Sequence, residues 1–245
     1  MIIRPALSFG TWLRYDSVIP RVREIPPPRA ILEIGIGIGS IGTRLAELGD
    51  YTGVEPTVAS RDIARQRLPE KARLLASLDE VEGEQFDVVC AFEVLEHIED
   101  DAAALHAWTA LLHPGGLLIL SVPTRPERFG PWDERVGHFR RYTPQGLTDL
   151  ALHVGLVGVE VDQYGFPVKI PMDWYRDRAA LRDRGGETIE ERTSESALVM
   201  QPPDSLSWLY QATAAPFRLI QRPFRHSRGV GAVLAGRKPG SPDRP

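Results

Sequence analysis

The sequence predicts an α/β fold: a doubly wound sheet, mainly parallel with an antiparallel last strand, and a helical insertion between the last two strands. Three observations predict it. Short apolar runs such as Ala30 to Ile34 and Phe86 to Phe92 have the texture of strands covered on both faces. Stretches of helical periodicity alternate with them, the order that builds a parallel sheet. Between the first strand and the first core helix, ILEIGIGIGSIG (Ile31 to Gly42) places glycines at 35, 37, 39 and 42, a turn stripped of side chains where backbone approaches a ligand.

Residues 1–28 read as an N-terminal helical arm in which Leu13, Val18, Ile19 and Val22 share one face, ended by Pro26-Pro27-Pro28. Ala30 to Ile34 is the first strand, and Ser40 to Leu48 a helix closed by Gly49. Tyr51 to Glu55, Ala72 to Ala76 and Phe86 to Phe92 are the next strands, with a helix over Ala59 to Leu68. Asp100 or Asp101 caps a helix that turns at His113-Pro-Gly-Gly into the strand LLILSV. Thr143-Pro144 opens another helix, which ends near Gly155. Val157 to Val161 and Gly231 to Gly236 complete the sheet, so the core is 29–163 with 229–238. The segment 164–228 is too long for a plain loop and reads as a helical lid insertion over the sheet edge. Within it RDRGGETIEERTSES is polar and expected to be mobile, and 239–245 reads as a disordered tail.

Bulk properties narrow the function classes. With 245 residues, 42% of them hydrophobic and 25% charged, the chain buries a full core. A net charge of -4 gives no electrostatic case for nucleic acid as a partner. One cysteine, Cys90, excludes an internal disulfide framework and fits a reducing compartment. No basic-then-apolar leader is visible, and no apolar run reaches the roughly 18 residues of a spanning helix. A cytoplasmic protein without stable membrane insertion is expected.

The glycine turn has two registers. Gly37-x-Gly39-x-x-Gly42 fits a dinucleotide fingerprint, hence an NAD(P)-dependent oxidoreductase. Glu33-x-Gly35-x-Gly37-x-Gly39 instead sets a carboxylate ahead of alternating glycines, which suits a ligand bearing an ammonium and not a pyrophosphate. Glu55, about 20 residues beyond the turn, is placed to accept hydrogen bonds from ribose hydroxyls.

EIGIGIG, GVEP, FDVVCAFEVLEHI and LHPGGLLILSVP, in that order, resemble the successive motifs of class I S-adenosylmethionine-dependent methyltransferases, a Rossmann-like fold. The group resembled is the small-molecule type that includes the ubiquinone-biosynthesis O-methyltransferases. The likeness runs from about Ala30 to Gly155. It implies S-adenosyl-L-methionine as cofactor, with Glu33, Gly35, Gly37 and Gly39 at its methionine end and Glu55 on the ribose. Ser77 and Leu78 fall at the adenine, although many relatives carry an acid where Ser77 stands; Asp79 is a substitute. Phe92 and Glu93 leave the fourth strand beside the cofactor.

His138, in VGHFRRYTPQGL, is the candidate general base, because imidazole titrates near neutrality. The competing reading has His138, Arg140, Arg141 and Tyr142 pinning the loop. Arg141, Tyr142, Trp174 and Tyr175 are the candidate substrate contacts. Glu93, Glu96 and His97 also read as solvated charges at a helix start, where acids favour the dipole. No HExxH or paired-cysteine spacing occurs, so no metal is expected. The expected function is methyl transfer to a small-molecule acceptor, at oxygen, with a non-catalytic cofactor-binding module as an alternative; the arm and the insertion are candidate surfaces for a homodimer.

Overall fold

A computed structural model describes residues 5–182 and 203–240. Seven strands, β1 (Ala30–Ile34), β2 (Asp50–Val54), β3 (Arg73–Leu75), β4 (Phe86–Phe92), β5 (Leu112–Pro123), β6 (Val157–Tyr164) and β7 (Gly231–Arg237), form one sheet. Their order is β3-β2-β1-β4-β5-β7-β6, and β7 runs antiparallel to both neighbours. From β1 the chain moves outward to β3 and returns on the other side as β4. That reversal opens a crevice at the carboxyl ends of β1 and β4, where ligands bind in open α/β sheets.

Alternation along the strands serves both faces. Ile31, Val88, Cys90 and Ile119 pack towards the N-terminal helix α1 (Phe9–Glu24). Leu32, Val89, Ala91, Leu118 and Leu120 pack on the opposite face, with α4 (Asp101–Ala110) and α6 (Pro144–His153). The caps read from sequence form, Asp100 accepting from Ala103 N at 2.9 Å and Thr143 from Gly146 N at 2.9 Å, and Ser8 caps α1 by accepting from Thr11 N at 3.2 Å. The remaining helices are α2 (Gly42–Leu45), α3 (Val58–Arg67), α5 (Pro131–Val136), α7 (Lys169–Arg182) and α8 (Ser207–Gln221).

Strand bounds shift by a few residues, β5 starting at Leu112, just ahead of the expected turn, and β6 running on to Tyr164, and two helices differ from expectation. The helix expected over Ser40 to Leu48 is the single turn α2, buried all round. Leu48 N bonds to Leu45 O at 2.8 Å, and Gly49 lies so close to Arg29 that a Cβ would sit 2.4 Å from its carbonyl oxygen. The chain must tighten there to start β2. Helix α5 was not expected, being too short for periodicity to register; Pro131 opens it and Gly137, at φ +76°, ends it.

The insertion binds its own domain. On α8, Arg218 Nε donates to Asp16 of α1 at 3.0 Å, and Gln221 Nε2 donates to Leu13 O at 2.6 Å. Arg225 pairs with buried Asp162, and Arg228 lies over the Phe166 ring. The basic residues near α8 are thus drawn into packing. The polar stretch 183–196 and the tail 241–245 lie outside the described residues. No helix among the described residues is long and apolar enough to cross a membrane.

Candidate active site

A cleft of about 1920 Å³ opens at the carboxyl ends of β1, β2 and β4, roofed by α1, α5 and α7. Its floor is the glycine turn. Gly35, Gly37 and Gly39 have φ of +70°, +52° and +75°, a region that side-chain-bearing residues rarely adopt. Their surroundings differ. A Cβ on Gly35 would stand 2.5 Å from Val94 Cγ2, whereas one on Gly37 would meet nothing within 4 Å, because it would point into the cleft. Gly37 keeps the space open for a ligand.

Two buried carboxylates flank this turn. Glu55 Oε2 accepts from Gly37 N at 2.8 Å, and Oε1 from Thr57 N at 2.9 Å. Glu33 Oε2 accepts from Tyr51 Oη at 2.6 Å. Burial pushes the Glu33 carboxyl up to about 7, against the pull of Tyr51 and Arg14. A dinucleotide would need its pyrophosphate at a helix N-terminus free to receive an anion. Here the loop amide of Gly37 already serves a carboxylate, and α2 is one turn long, so its dipole is small. The geometry favours the register that starts at Glu33.

Ser77 and Leu78 line the cleft beyond β3. Ser77 Oγ caps the short turn after it, accepting from Asp79 N at 3.2 Å and donating to Asp79 Oδ2 at 3.0 Å. Asp79 is exposed and outside the cleft lining, with its Oδ2 on Ser77 Oγ. Phe92 and Glu93 leave β4 into the cleft, Glu93 with φ +58°. Glu93 Oε1 accepts from Ser121 Oγ at 2.8 Å and Tyr164 Oη at 2.9 Å, and pairs with Arg14 Nη1 at 3.2 Å. Burial opposes its ionisation, but Arg14, Lys169 and these hydrogen bonds prevail and hold it down at about 2.

Arg14 is a site residue that the sequence did not disclose. It reaches from α1 over the Phe92 ring, 5.5 Å from its centroid, and its buried Nε has no hydrogen-bond partner. Lys169 of α7 also enters the cleft, 5.5 Å from the Tyr164 ring centre. No signal marked either one, since their partners are distant in the chain.

A second cluster of side chains gathers around His138. Its Nδ1 lies 2.7 Å from Asp133 Oδ1, its Nε2 3.9 Å from Glu96 Oε1, and its ring meets His97 edge-on at 4.6 Å. Glu96 corrects the solvated-charge reading: it is 0% exposed, and neither carboxylate oxygen has a hydrogen-bond partner. Burial and then Glu93 raise its carboxyl well above the usual range. The His97 ring is lowered to about 4, by burial first and His138 second. Ligand atoms of Glu96, His97 and His138 lie within 4.8 Å of one another, and two imidazoles with a carboxylate form a donor set suited to a divalent cation.

The four candidate substrate contacts divide. Tyr175 lines the cleft. Arg141 lies on its wall, with its Nε 2.8 and 2.9 Å from the two Asp133 oxygens, so the guanidinium holds Asp133. Tyr142 and Trp174 are corrected, as neither reaches the cleft. Tyr142 is buried with its hydroxyl on Asp101 at 2.9 Å, whereas Trp174 is 54% exposed under Arg178.

Comparison with known proteins identifies the family of the chain. The family described as methyltransferase domain matches residues 12–161. An uncharacterized methyltransferase of Mycobacterium tuberculosis is 35% identical over 146 residues, covering 54% of this chain and 58% of that protein. The ubiquinone biosynthesis O-methyltransferase of Ruegeria pomeroyi is 34% identical over 168 residues, covering 59% and 65%. The matched region thus spans less than two thirds of either relative. Among solved structures, a Thermotoga maritima S-adenosylmethionine-dependent methyltransferase superposes with a TM-score of 0.57 at 20% identity, covering 94% of this chain and 92% of that one. Haemonchus contortus phosphoethanolamine N-methyltransferase 2, solved with S-adenosyl-L-methionine, gives 0.59 at 16%, covering 92% and 52%. At such identities the structural likeness concerns the fold.

Proposed function

The chain belongs to the methyltransferase-domain family, and from that premise we propose that it transfers a methyl group from S-adenosyl-L-methionine to the oxygen of a small-molecule acceptor, with His138 as general base. One observation carries the reading. A bare glycine turn between the carboxylates of Glu33 and Glu55 shares a single cleft with the His138 imidazole. When bound, S-adenosylmethionine supplies a sulfonium-activated methyl group, so the chain needs no electrophile of its own.

In this reading Gly35, Gly37 and Gly39 give room for the methionine end, and Glu33 faces its ammonium. Glu55 holds the ribose, exchanging the Gly37 amide for hydroxyl donors. His138 takes the proton of the acceptor hydroxyl, and Tyr175 borders the acceptor space. Alignment of the reacting atoms contributes on the order of 7–11 kcal/mol. A base contributes roughly 10²–10⁴-fold, about 3–5 kcal/mol. Positioning therefore outweighs the base, and loss of His138 cripples the enzyme without silencing it.

The unpartnered oxygens of Glu96 favour a second reading of the acceptor side. Glu96, His97 and His138 would hold a divalent cation, which when bound lowers the pKa of an acceptor hydroxyl. Dialysis against a chelator separates the two: unchanged turnover supports His138 as base, and a loss restored by magnesium or manganese supports the cation.

The function is tested by calorimetric titration with S-adenosylhomocysteine and with NAD⁺, together with transfer of labelled methyl from S-adenosylmethionine to a panel of phenols and amines. NAD⁺ binding without S-adenosylhomocysteine binding would establish the oxidoreductase alternative. Cofactor binding with no methylated product across the panel would leave a binding module.

A further inference from the structure

The sequence PWDERVGH folds back on itself. Helix α5 ends at Gly137, whose φ of +76° reverses the chain, so His138 returns to the residue five positions earlier. Two tethers fix it there: its backbone N donates to Asp133 O at 2.9 Å, and its Nδ1 lies 2.7 Å from Asp133 Oδ1. Asp133 is 0% exposed; among the described residues the other groups hydrogen-bonded to its carboxylate are donors, and the Asp177 carboxyl is an acidic neighbour. Arg141 Nε approaches both oxygens, Arg141 Nη2 reaches Oδ2 at 2.7 Å, and Gly130 N reaches Oδ2 at 3.0 Å. A carboxylate so surrounded is ionised and only accepts. The hydrogen of the Asp133–His138 contact must then sit on Nδ1, which leaves the other nitrogen of a neutral ring with its lone pair.

We infer that Asp133 is the positioning residue of this site: its carboxylate holds His138, a residue of the cleft wall, in the Nδ1–H tautomer and leaves Nε2 bare beside Glu96. Arg141 serves the same end at one remove, keeping Asp133 ionised where burial alone would neutralise it. The ring is braced from a third side by the edge of His97. Two tethers and a ring contact leave the imidazole little freedom to turn, which is the preorganisation that proton transfer requires.

This inference deepens the proposed function, and its test reads the two apart. Two-bond ¹⁵N–¹H correlation spectra of the wild-type chain with S-adenosylhomocysteine report which imidazole nitrogen carries hydrogen, the His138 signal being assigned by its absence in His138→Gln. The expected result is hydrogen on Nδ1. In Asp133→Asn, whose amide can donate to Nδ1, the hydrogen should move to Nε2. Methyl transfer to the phenol panel should then fall by roughly 10²–10⁴-fold while S-adenosylhomocysteine affinity stays within about two-fold. Hydrogen on Nε2 in the wild type, or an unchanged tautomer in Asp133→Asn, would overturn the assignment. Should Asp133→Asn not fold, the wild-type spectrum alone decides. The expected spectrum together with no methylated phenol supports the role of Asp133 and counts against the proposed function.

Discussion

The two halves of the cleft are built by different means. On the cofactor side the chain uses backbone: positive-φ glycines after β1, and Glu55 at the end of β2 taking a loop amide. On the proposed acceptor side it uses side chains from separate segments held by an ion pair and a ring contact, as in Arg141–Asp133 and His97–His138. The sheet's own ladder fixes the first half, and an ion pair with a reversed turn fixes the second. Substitutions should therefore act through shape on one side and through charge or proton placement on the other.

The strongest challenge to that contrast is Gly37→Val. Nothing lies within 4 Å of the added carbon, so the variant should fold, losing about 1–3 kcal/mol to the strained φ. Its branches would fill the ligand's space, and S-adenosylhomocysteine binding should vanish in calorimetry. Next comes His138→Ala, where turnover should drop by roughly 10²–10⁴-fold with cofactor affinity kept; full activity would reduce the residue to scaffold.

Stability against pH probes Glu33, a displaced titration on the backbone-built half that falls within an accessible pH window. Its carboxyl is raised from 4.5 to about 7, chiefly by burial. Below about 4.5 folded and unfolded chains both hold the proton, so nothing is lost. Between there and about 7 only the folded chain keeps it, and stability should fall by about 3 kcal/mol as pH rises, then level off. Thermal melts of Glu33→Gln across that window should lack this decline. The smallest expected effect is Glu55→Ala, which removes charged hydrogen-bond acceptance worth about 1.5–3 kcal/mol and should weaken S-adenosylhomocysteine binding by roughly 10-fold or more. Unchanged affinity would remove Glu55 from the ribose.

Legibility in the sequence follows the same division. β1 and β4 appear at the residues expected, because buried parallel strands are written as unbroken apolar runs. Glu33, Glu55, Gly35 and Gly37, named from the sequence, line one cleft, their spacing being local to one strand–turn–strand unit. Asp133 was not singled out, although it lies five residues before His138; only the turn at Gly137 reveals why that interval matters. Arg14 and Tyr164 meet at Glu93 from distant points on either side of it in the chain, and no periodicity records such a meeting. Tyr142 and Trp174 show the converse error, aromatic rings near the right place whose directions were set by Asp101 and by solvent.

The clasp between Asp16 on α1 and Arg218 on α8 has a consequence for biosynthesis. The earliest of the described helices leaves the ribosome about 200 residues before the one it must grip, at a pace of roughly 5–20 residues per second. Until then Trp12 on this helix lacks its Ala214 partner, and β7, which fills the sheet between β5 and β6, has yet to emerge. Chaperone dependence in nascent chains should thus end abruptly once the sequence beyond Gln221 has emerged.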